Sequence, residues 1–391
     1  MKKLLAVISG VLLHLAVGSV YAWSVLTYPI INEVGWSFSD IATVFGCTIA
    51  TLGFSAALLG KKVKAWGPLK SCRIATALFL IGMLLTSVSI DFENLVLLYV
   101  AYGLLVGIGT GIAYLTPIPV LITYYPEKKG TITGLIVMGF GLSSVLASYG
   151  YHYFINTIGI DYAIGGAGLI FTLLMLPSCF LLKPKDNTQD TPGIKSVMNV
   201  QKVWNSKNFR LLWMIFFINI FVGVSIISAL APMLTDLFEV TAQEAATVVA
   251  MVAVVNGVSR IFWSCLSDQI GRPLVFLIMI MLELVALCSM IYWNDQSIFI
   301  DCVIVIISCY GGMFACMPGY LSDIFGTKNL STNLGYMLTA WGVAGFIGPK
   351  ALAFVYEYFG NYGDFFYGAT VLMCINLVLT FIESEKTVLT V

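Results

Sequence analysis

Twelve long apolar runs dominate this sequence, and each approaches the roughly 20 residues that an α-helix needs to cross a lipid bilayer. Hydrophobic residues make up 59% of the chain and charged residues only 10%, whereas soluble domains contain about 25% charged residues. A β-barrel would instead show short strands of alternating polarity. We therefore predict an all-α polytopic membrane protein with spans near residues 4–28, 38–59, 71–90, 94–122, 131–155, 161–182, 209–233, 243–266, 273–293, 298–321, 333–356 and 364–382.

The distribution of basic residues predicts the orientation of these helices. With the N-terminus in the cytoplasm, 18 of the 20 Lys and Arg residues fall on the cytoplasmic side. The outer loops hold acidic residues instead, which is the positive-inside pattern. We therefore expect a multi-pass protein of a bacterial inner (plasma) membrane with both termini cytoplasmic. The cytoplasmic basic residues are Lys2, Lys3, Lys61, Lys62, Lys64, Lys70, Arg73, Lys128, Lys129, Lys183, Lys185, Lys195, Lys202, Lys207, Arg210, Arg272, Lys328 and Lys386.

Two further features of the sequence have alternative interpretations. The opening Met1-Lys2-Lys3 and the apolar run after it resemble a secretory signal peptide cleaved at Ala22, but the run continues to Ile31. Nine cysteines are scattered through the chain without a Cys-x-x-Cys pair. We expect buried thiols there rather than disulfides or metal ligands, and we expect no cofactor.

A polar segment rich in basic residues divides the spans into two sets of six. We predict an N-terminal six-helix bundle over residues 1–182, a cytoplasmic linker over 183–208 and a C-terminal six-helix bundle over 209–391. The loops after spans 2 and 8 look alike, as expected for an internal repeat in a carrier built from two bundles. The residues that we expect to act in conformational switching lie in these loops: Gly60, Lys64, Gly67, Asp268, Gly271 and Arg272.

Short motifs in both halves carry a resemblance to a known family. They are Gly18–Trp23, Tyr124–Gly130, Asn256–Arg260 with Trp263, Ser267–Arg272 and Ser322–Thr327. The Asp268–Arg272 loop resembles the signature loop of the major facilitator superfamily, although Lys64 replaces the family's usual Asp in the first-half copy. The whole chain resembles the oxalate/formate antiporter family, a relative of the monocarboxylate transporters. This resemblance implies the major facilitator fold, with two pseudo-symmetric bundles, and a small carboxylate as the substrate.

Two basic residues, Arg260 in span 8 and Lys350 in span 11, lie inside the predicted spans. A charge within a bilayer costs about 3 kcal/mol on insertion scales, and arginine keeps its proton in proteins. Arg260 therefore needs an anion or a water-filled cavity, unless it extends to the cytoplasmic surface. Its planar guanidinium matches a carboxylate through two hydrogen bonds. The resemblance also implies a substrate-binding arginine here, with Asn256 one turn away as a second donor.

The second charge is displaced from its position in the family. The family carries a lysine in span 11 where this sequence has Trp341, and Lys350 lies nine residues later, about 13 Å along the helix. We interpret Lys350 either as a substrate contact at the outer mouth of the cavity or as a side chain that extends outward. Loss of the second charge at its usual place favours a monocarboxylate over a dicarboxylate.

Aromatic side chains are expected to line the cavity, because their rings exclude water around a small anion and strengthen its pairing with Arg260. Tyr21 and Tyr114 are favoured, since their hydroxyls can hydrogen-bond a carboxylate. Ordinary packing is the alternative for each ring. The aromatic positions that the resemblance implies are Tyr21, Trp23, Tyr114, Phe140, Tyr310 and Phe314, which join Arg260, Asn256, Trp341 and Lys350 in the expected substrate-binding set.

Two titratable residues inside the spans are candidates for proton coupling. His14 lies in the middle of span 1, and Glu283 lies in the middle of span 9. A histidine can bind and release a proton near neutral pH, and the alternative is a packed neutral ring with one hydrogen bond. For Glu283, the alternative to proton coupling is a protonated carboxyl side chain that only packs against its neighbours.

A glycine series in span 4 has a packing interpretation. Gly107-x-Gly109-x-Gly111 looks like part of a phosphate-binding loop, but no strand precedes it and it lies inside a span. Close helix packing explains it better.

These observations predict a secondary transporter that moves a small carboxylate by alternating access, with exchange and proton symport both open. A carrier for a neutral or cationic compound, with Arg260 in a structural role, is the alternative within transport. A non-transporting membrane sensor would be expected to carry a soluble signalling domain. An intramembrane enzyme is not expected, because the spans show no catalytic set of polar residues. We expect a monomer in the lipid bilayer that binds no nucleic acid.

Overall fold

The computed structural model describes residues 2–183 and 203–388, which are almost entirely helical. Most of the predicted linker, residues 184–202, lies outside the described residues. A 3₁₀ segment at Gly18–Ala22 and a π-helical segment at Tyr99–Val106 interrupt two of the spans. The α-helices are α1 Lys2–Val17, α2 Trp23–Val34, α3 Phe38–Asp91, α4 Leu95–Leu98, α5 Gly107–Leu115, α6 Pro117–Tyr124, α7 Lys129–Ile158, α8 Ile160–Met175, α9 Ser178–Leu181, α10 Lys207–Phe238, α11 Ala242–Ile270, α12 Arg272–Tyr292, α13 Gln296–Phe325, α14 Leu330–Phe359 and α15 Gly363–Val388.

The prediction of an all-α membrane protein with twelve spans is confirmed. Eleven helical segments of the described chain are long and apolar enough to cross a membrane. One of them covers two spans, because α3 is broken at Gly67, where φ is 76° and ψ is 168°. Glycine adopts this conformation without steric cost, and Pro68 then begins the next helix.

The loop expected after span 2 is shorter than the sequence suggested. The structure continues the helix from Gly60 through Trp66, so the turn is confined to Gly67. The matching turn after span 8 is similarly short, with Gly271 at φ 93° between α11 and α12. Lys61, Lys62 and Lys64, which precede the turn at Gly67, therefore lie on a helix that extends beyond the apolar region.

The helices of spans 2 and 8 begin in the same way, which supports the internal repeat. Each starts with a capping box, in which a hydroxyl side chain and an acidic side chain three residues later bond each other's backbone N–H groups. The pairs are Ser37 with Asp40 in α3 and Thr241 with Glu244 in α11. Hydrogen bonds from the Thr241 backbone N–H and hydroxyl hold the pKa of Glu244 below its usual value.

Two seams of close backbone contact join the bundles. In the first, α3 meets α14, and a Cβ on Gly53 would lie 2.6 Å from the Leu338 carbonyl oxygen and 2.8 Å from the Gly342 Cα. In the second, α7 meets α11, and a Cβ on Gly141 would lie 2.8 Å from the Gly257 Cα. Because only glycine permits such an approach, these residues bring four helices together around the centre of the molecule.

The glycine series of span 4 packs against α3. A Cβ on Gly107 would lie 2.9 Å from the Thr48 carbonyl oxygen, and one on Gly111 would lie 2.6 Å from that of Leu52. On the other side of the helix, a Cβ on Gly109 would lie 3.0 Å from the Ala75 carbonyl oxygen. The series therefore serves helix packing and is not a phosphate loop.

Candidate substrate-binding site

The guanidinium of Arg260 lies in the interior of the molecule, with 1% of the residue exposed. Nε donates to the Asn256 carbonyl oxygen at 3.2 Å, and Nη2 donates to Asn256 Oδ1, also at 3.2 Å. Nη1 donates to the Val137 carbonyl oxygen at 3.3 Å across the second seam. All three acceptors are neutral, so the side chain is oriented but its charge is not neutralised.

No carboxylate forms an ion pair with Arg260 in residues 2–183 and 203–388. Ion pairs elsewhere in these residues join Lys129 to Asp323, and Arg272 to both Asp268 and Asp323. The neighbour of the guanidinium is instead the ring of Phe314, with 5.5 Å between the guanidinium carbon and the ring centroid. A buried arginine in such surroundings attracts an anion strongly, because little water or protein charge screens it.

Aromatic side chains from both halves of the chain surround this charge. The ring centroids of Phe314 and Trp341 are 4.9 Å apart, and those of Phe140 and Trp341 are 5.7 Å apart. The hydroxyls of Tyr21 and Tyr310 are 3.2 Å apart and join the two halves directly. We call this group the central cluster: His14, Tyr21, Tyr114, Phe140, Arg260, Tyr310, Phe314 and Trp341.

Local backbone structure positions the first-half members of the central cluster. The 3₁₀ segment follows α1 and begins at Gly18, whose Cα faces the backbone of Phe140 so closely that a Cβ would collide with its carbonyl oxygen. This contact sets the Tyr21 ring 5.2 Å from the Phe140 ring, edge to face. Such aromatic pairs have a preferred geometry that holds the rings in place.

Two of the aromatic and charged residues predicted for the site lie elsewhere. Trp23 packs inside the first half, where its Nε1 donates to the Ile41 carbonyl oxygen at 3.1 Å and its ring lies 4.1 Å from that of Tyr102. Lys350 is exposed, with its ammonium 4.1 Å from the Phe346 ring. The position of the family's lysine is occupied by Trp341, which does belong to the central cluster.

The two titratable residues differ in their distance from Arg260. His14 belongs to the central cluster, with its ring 5.0 Å from that of Tyr114. Glu283 lies outside it, in a buried contact between α10 and α12. There the Asn219 amide donates to both carboxyl oxygens, at 2.7 and 2.8 Å. The structure therefore brings only His14 to the candidate site.

A second group of polar residues lies at the end of the molecule where the chain turns at Gly67 and at Gly271. We call this end of the molecule the basic end. Asp268 accepts hydrogen bonds from the backbone N–H groups of Gly130 at 2.9 Å and Thr131 at 2.6 Å, at the start of α7. It also pairs with Arg272, which contacts Asp323 at 3.3 Å. An anion at a helix N-terminus is stabilised by the helix dipole. This network therefore fastens the two halves together beside the second seam.

The first-half counterpart of this network is weaker. Lys64 donates to the Asn329 side-chain oxygen at 2.6 Å, just before α14 begins. Nearby, a Cβ on Gly60 would lie 3.0 Å from the Ser331 carbonyl oxygen. A cation at a helix N-terminus gains nothing from the helix dipole, so the Lys64 contact lacks the dipole stabilisation that Asp268 receives at the start of α7.

Several residues of these networks were not predicted. Asn219 is one of few strongly polar residues in span 7, which could have marked it as a partner for a buried acid. Asp323 lay within a motif that was noted only for its resemblance. The Val137 carbonyl could not have been found, because its role depends on which helix faces Arg260. Within the described part of the chain, no cluster of His, Cys, Asp and Glu is arranged to hold a metal ion.

In the described part of the chain the spanning helices form two bundles, and a buried charge and an aromatic cluster lie where these bundles meet. This arrangement defines a membrane carrier. The family model of the Major Facilitator Superfamily matches residues 7–349 and again residues 212–389. The chain therefore belongs to the major facilitator superfamily and is a membrane transporter.

Curated relatives cover most of the chain at low identity. The Escherichia coli protein named "Uncharacterized MFS-type transporter YhjX" is 24% identical over 87% of this chain and 85% of its own length. The oxalate:formate antiporter of Oxalobacter formigenes is 25% identical over 90% of this chain and 85% of its own length. The apicoplast pyruvate carrier 1 of Toxoplasma gondii is 22% identical over 89% and 85%.

Solved structures support the fold. A bacterial homologue of the iron transporter ferroportin, in an outward-facing state, superimposes with a TM-score of 0.76 at 13% identity, over 98% of this chain and 100% of its own. The proton:xylose symporter XylE superimposes with a TM-score of 0.72 at 14% identity, over 97% and 94%. At such identities the likeness concerns the arrangement of helices alone.

Proposed function

We propose that this transporter carries small organic anions by alternating access, with the anion held between the two bundles at Arg260. The observation that carries the proposal is the buried guanidinium, which has only neutral protein acceptors and sits among aromatic rings. Two of the relatives named above are an oxalate:formate antiporter and a pyruvate carrier, which is consistent with a carboxylate substrate. Tyr21, Tyr114 and Tyr310 belong to the same cluster, and their hydroxyl groups can donate hydrogen bonds to the anion.

A monocarboxylate fits this site better than a dicarboxylate. The central cluster contains one permanent positive charge among the described residues, since Trp341 replaces the family's lysine and Lys350 lies outside. A second carboxylate would be buried without a counter-charge, which is costly in a medium of low dielectric constant. The charge of one carboxylate, in contrast, would be balanced by Arg260.

The positive charge of Arg260 also affects the rate at which the carrier reorients during the transport cycle. A carrier that closes around an unpaired guanidinium meets a desolvation cost that a bound anion removes. Reorientation is therefore faster when the carrier is loaded, which favours exchange. Proton symport is the second form of the cycle, with His14 as the candidate group. We further propose that the chain is a monomer in a bacterial inner membrane, with its basic end and both termini in the cytoplasm.

Counterflow in proteoliposomes tests this function. Vesicles that contain the purified protein and unlabelled formate are expected to accumulate labelled formate, and lactate and pyruvate should compete with it. Oxalate and malonate should compete at least about tenfold more weakly, because of their second charge. Equal counterflow with and without a pH gradient is the result expected for exchange, whereas a rate that follows the gradient indicates symport. Absence of counterflow with all three monocarboxylates would contradict the proposal.

Neutralising Asp268 is expected to weaken the contact between the two halves at the basic end, where Asp268 links α11 to the start of α7. Asp268→Asn removes the pairing with Arg272 and the anion at the start of α7, so we expect the counterflow rate to fall about tenfold. The matched control is Glu127→Gln, which removes an exposed carboxylate from the same end of the molecule. A wild-type rate in Asp268→Asn would show that this network does not contribute to switching.

A further inference from the structure

Two members of the central cluster have a buried polar atom without a hydrogen-bond partner in the described residues. These atoms are His14 Nε2 and Trp341 Nε1. Buried polar atoms without partners are few in native proteins, because each loses its hydrogen bonds to water on burial. Two such atoms in one cluster, beside an arginine without a protein counter-charge, indicate groups that a ligand satisfies.

The hydrogen bond of the other ring nitrogen determines the chemistry of His14 Nε2. His14 Nδ1 lies 3.3 Å from the Gly10 carbonyl oxygen. A carbonyl oxygen only accepts, so Nδ1 carries the hydrogen in this assignment. In the neutral ring Nε2 then has a lone pair and can only accept. His14 therefore requires a hydrogen-bond donor from the ligand.

Trp341 has the opposite requirement. The indole N–H can only donate, so it requires an acceptor atom. Its ring is 4.9 Å from that of Phe314, which lies beside the Arg260 guanidinium, and 5.7 Å from that of Tyr114, which contacts His14. Ring contacts therefore link Trp341 to Arg260 through Phe314 and to His14 through Tyr114.

A hydroxyl group satisfies both requirements, because its oxygen accepts one hydrogen bond while its hydrogen donates another. We infer that His14 and Trp341 form a hydroxyl-recognising subsite next to Arg260, and that the preferred substrate is a small 2-hydroxy monocarboxylate. This inference rests on the proposed function, which supplies the carboxylate on Arg260. The hydroxyl donates to His14 Nε2 and accepts from Trp341 Nε1.

Other small acids leave one or both atoms unsatisfied. A 2-oxo acid offers an acceptor to Trp341 but has no hydrogen for His14. An unsubstituted acid offers neither group at that position. Sites built to hydrogen-bond a hydroxyl reject analogues that lack it, because their own polar groups then remain unpaired. Phe140, Tyr310 and Trp341 are all fully buried, so water does not replace the hydrogen bonds that such an analogue lacks.

Competition in the counterflow assay measures this preference. With labelled formate as the transported probe, lactate is expected to compete at least about tenfold better than propionate, which differs from it only in the hydroxyl. Pyruvate should fall between them. Glycolate and acetate form a second pair of the same kind, which removes chain length as a cause. Equal inhibition within both pairs would overturn the inference and leave the proposed function in place.

Variants connect the preference to the two side chains. Trp341→Phe keeps an aromatic ring but removes the N–H, and His14→Phe removes the acceptor. In each, the ratio of lactate to propionate inhibition constants should approach one. The control is Trp263→Phe, whose indole N–H is already bonded to the Ser308 hydroxyl at 2.9 Å, and it should retain the wild-type ratio. A wild-type ratio in Trp341→Phe and His14→Phe would overturn the assignment of these residues. Failure of formate, lactate and propionate alike to exchange would overturn the proposed function and this inference with it.

Discussion

Replacing Arg260 with glutamine is expected to reduce carboxylate counterflow at least about a hundredfold. The substitution keeps hydrogen-bonding capacity but removes the permanent charge that lies beside the aromatic rings of the cluster. Removal of one partner from a buried, hydrogen-bonded ion pair costs about 2–5 kcal/mol, and each 1.4 kcal/mol is tenfold in binding. Arg260→Lys should retain part of the activity, since it keeps the charge without the planar pair of donors. The measurement is the initial rate of labelled formate counterflow.

The melting temperature separates loss of binding from loss of folding. Without substrate, Arg260→Gln should melt at or above the wild-type temperature, because a buried charge without a counter-charge is itself destabilising. Added lactate should stabilise the wild type and leave the variant unchanged. Arg73→Gln is the matched control, because Arg73 is exposed and packs on the Phe180 ring. Near wild-type counterflow in Arg260→Gln would instead support a structural arginine in a carrier of neutral or cationic compounds.

Filling the first seam at Gly53 is expected to have the second large effect. The Cβ of Gly53→Val would lie within 2.9 Å of three backbone atoms of α14, and backbone cannot rotate away. Overpacking of this kind costs about 1–3 kcal/mol or more. It falls on the contact between α3 and α14 that joins the two bundles at the first seam. We expect counterflow to fall more than about tenfold, together with a lower melting temperature.

A glycine in open surroundings provides the control for this substitution. Gly166 lies in the interior of α8, and no neighbouring helix or side chain lies within 4 Å of the position that a Cβ would occupy. Gly166→Val introduces the same β-branched residue into a helix without the steric clash. Equal losses in Gly53→Val and Gly166→Val would mean that helix propensity, and not the seam, limits transport.

Much of the fold could be predicted because a bilayer restricts the backbone to a few arrangements. Every N–H and C=O in the apolar region must be paired within its own helix, so each apolar run directly indicates a span. The break at Gly67 was harder to place, since the helix continues through Lys61, Lys62 and Lys64 beyond the apolar run. Charged residues favour a loop in a hydropathy pattern, but they are compatible with a helix that extends into water.

The candidate site could be predicted only in part. Arg260 was found because a charge in an apolar run is costly and needs an explanation. Tyr21, Tyr114 and Phe140 required the resemblance, since aromatic residues are common in every span. Trp23 shows the limit of that argument, because it lies only two positions after Tyr21 and yet faces another helix. Helical periodicity gives the face of a helix but not the neighbour that the face will meet.

The glycine seams impose a condition on how the bundles move. Contact between backbones leaves no long side chains that could stretch to bridge a widening gap, and a gap of about 0.5–1 Å already removes about a quarter to a half of the dispersion attraction. Half-parted arrangements of α3 and α14 would thus lose much of the attraction that holds them together. We therefore expect the two bundles to occupy a few discrete relative positions, and we expect intermediate positions to be short-lived.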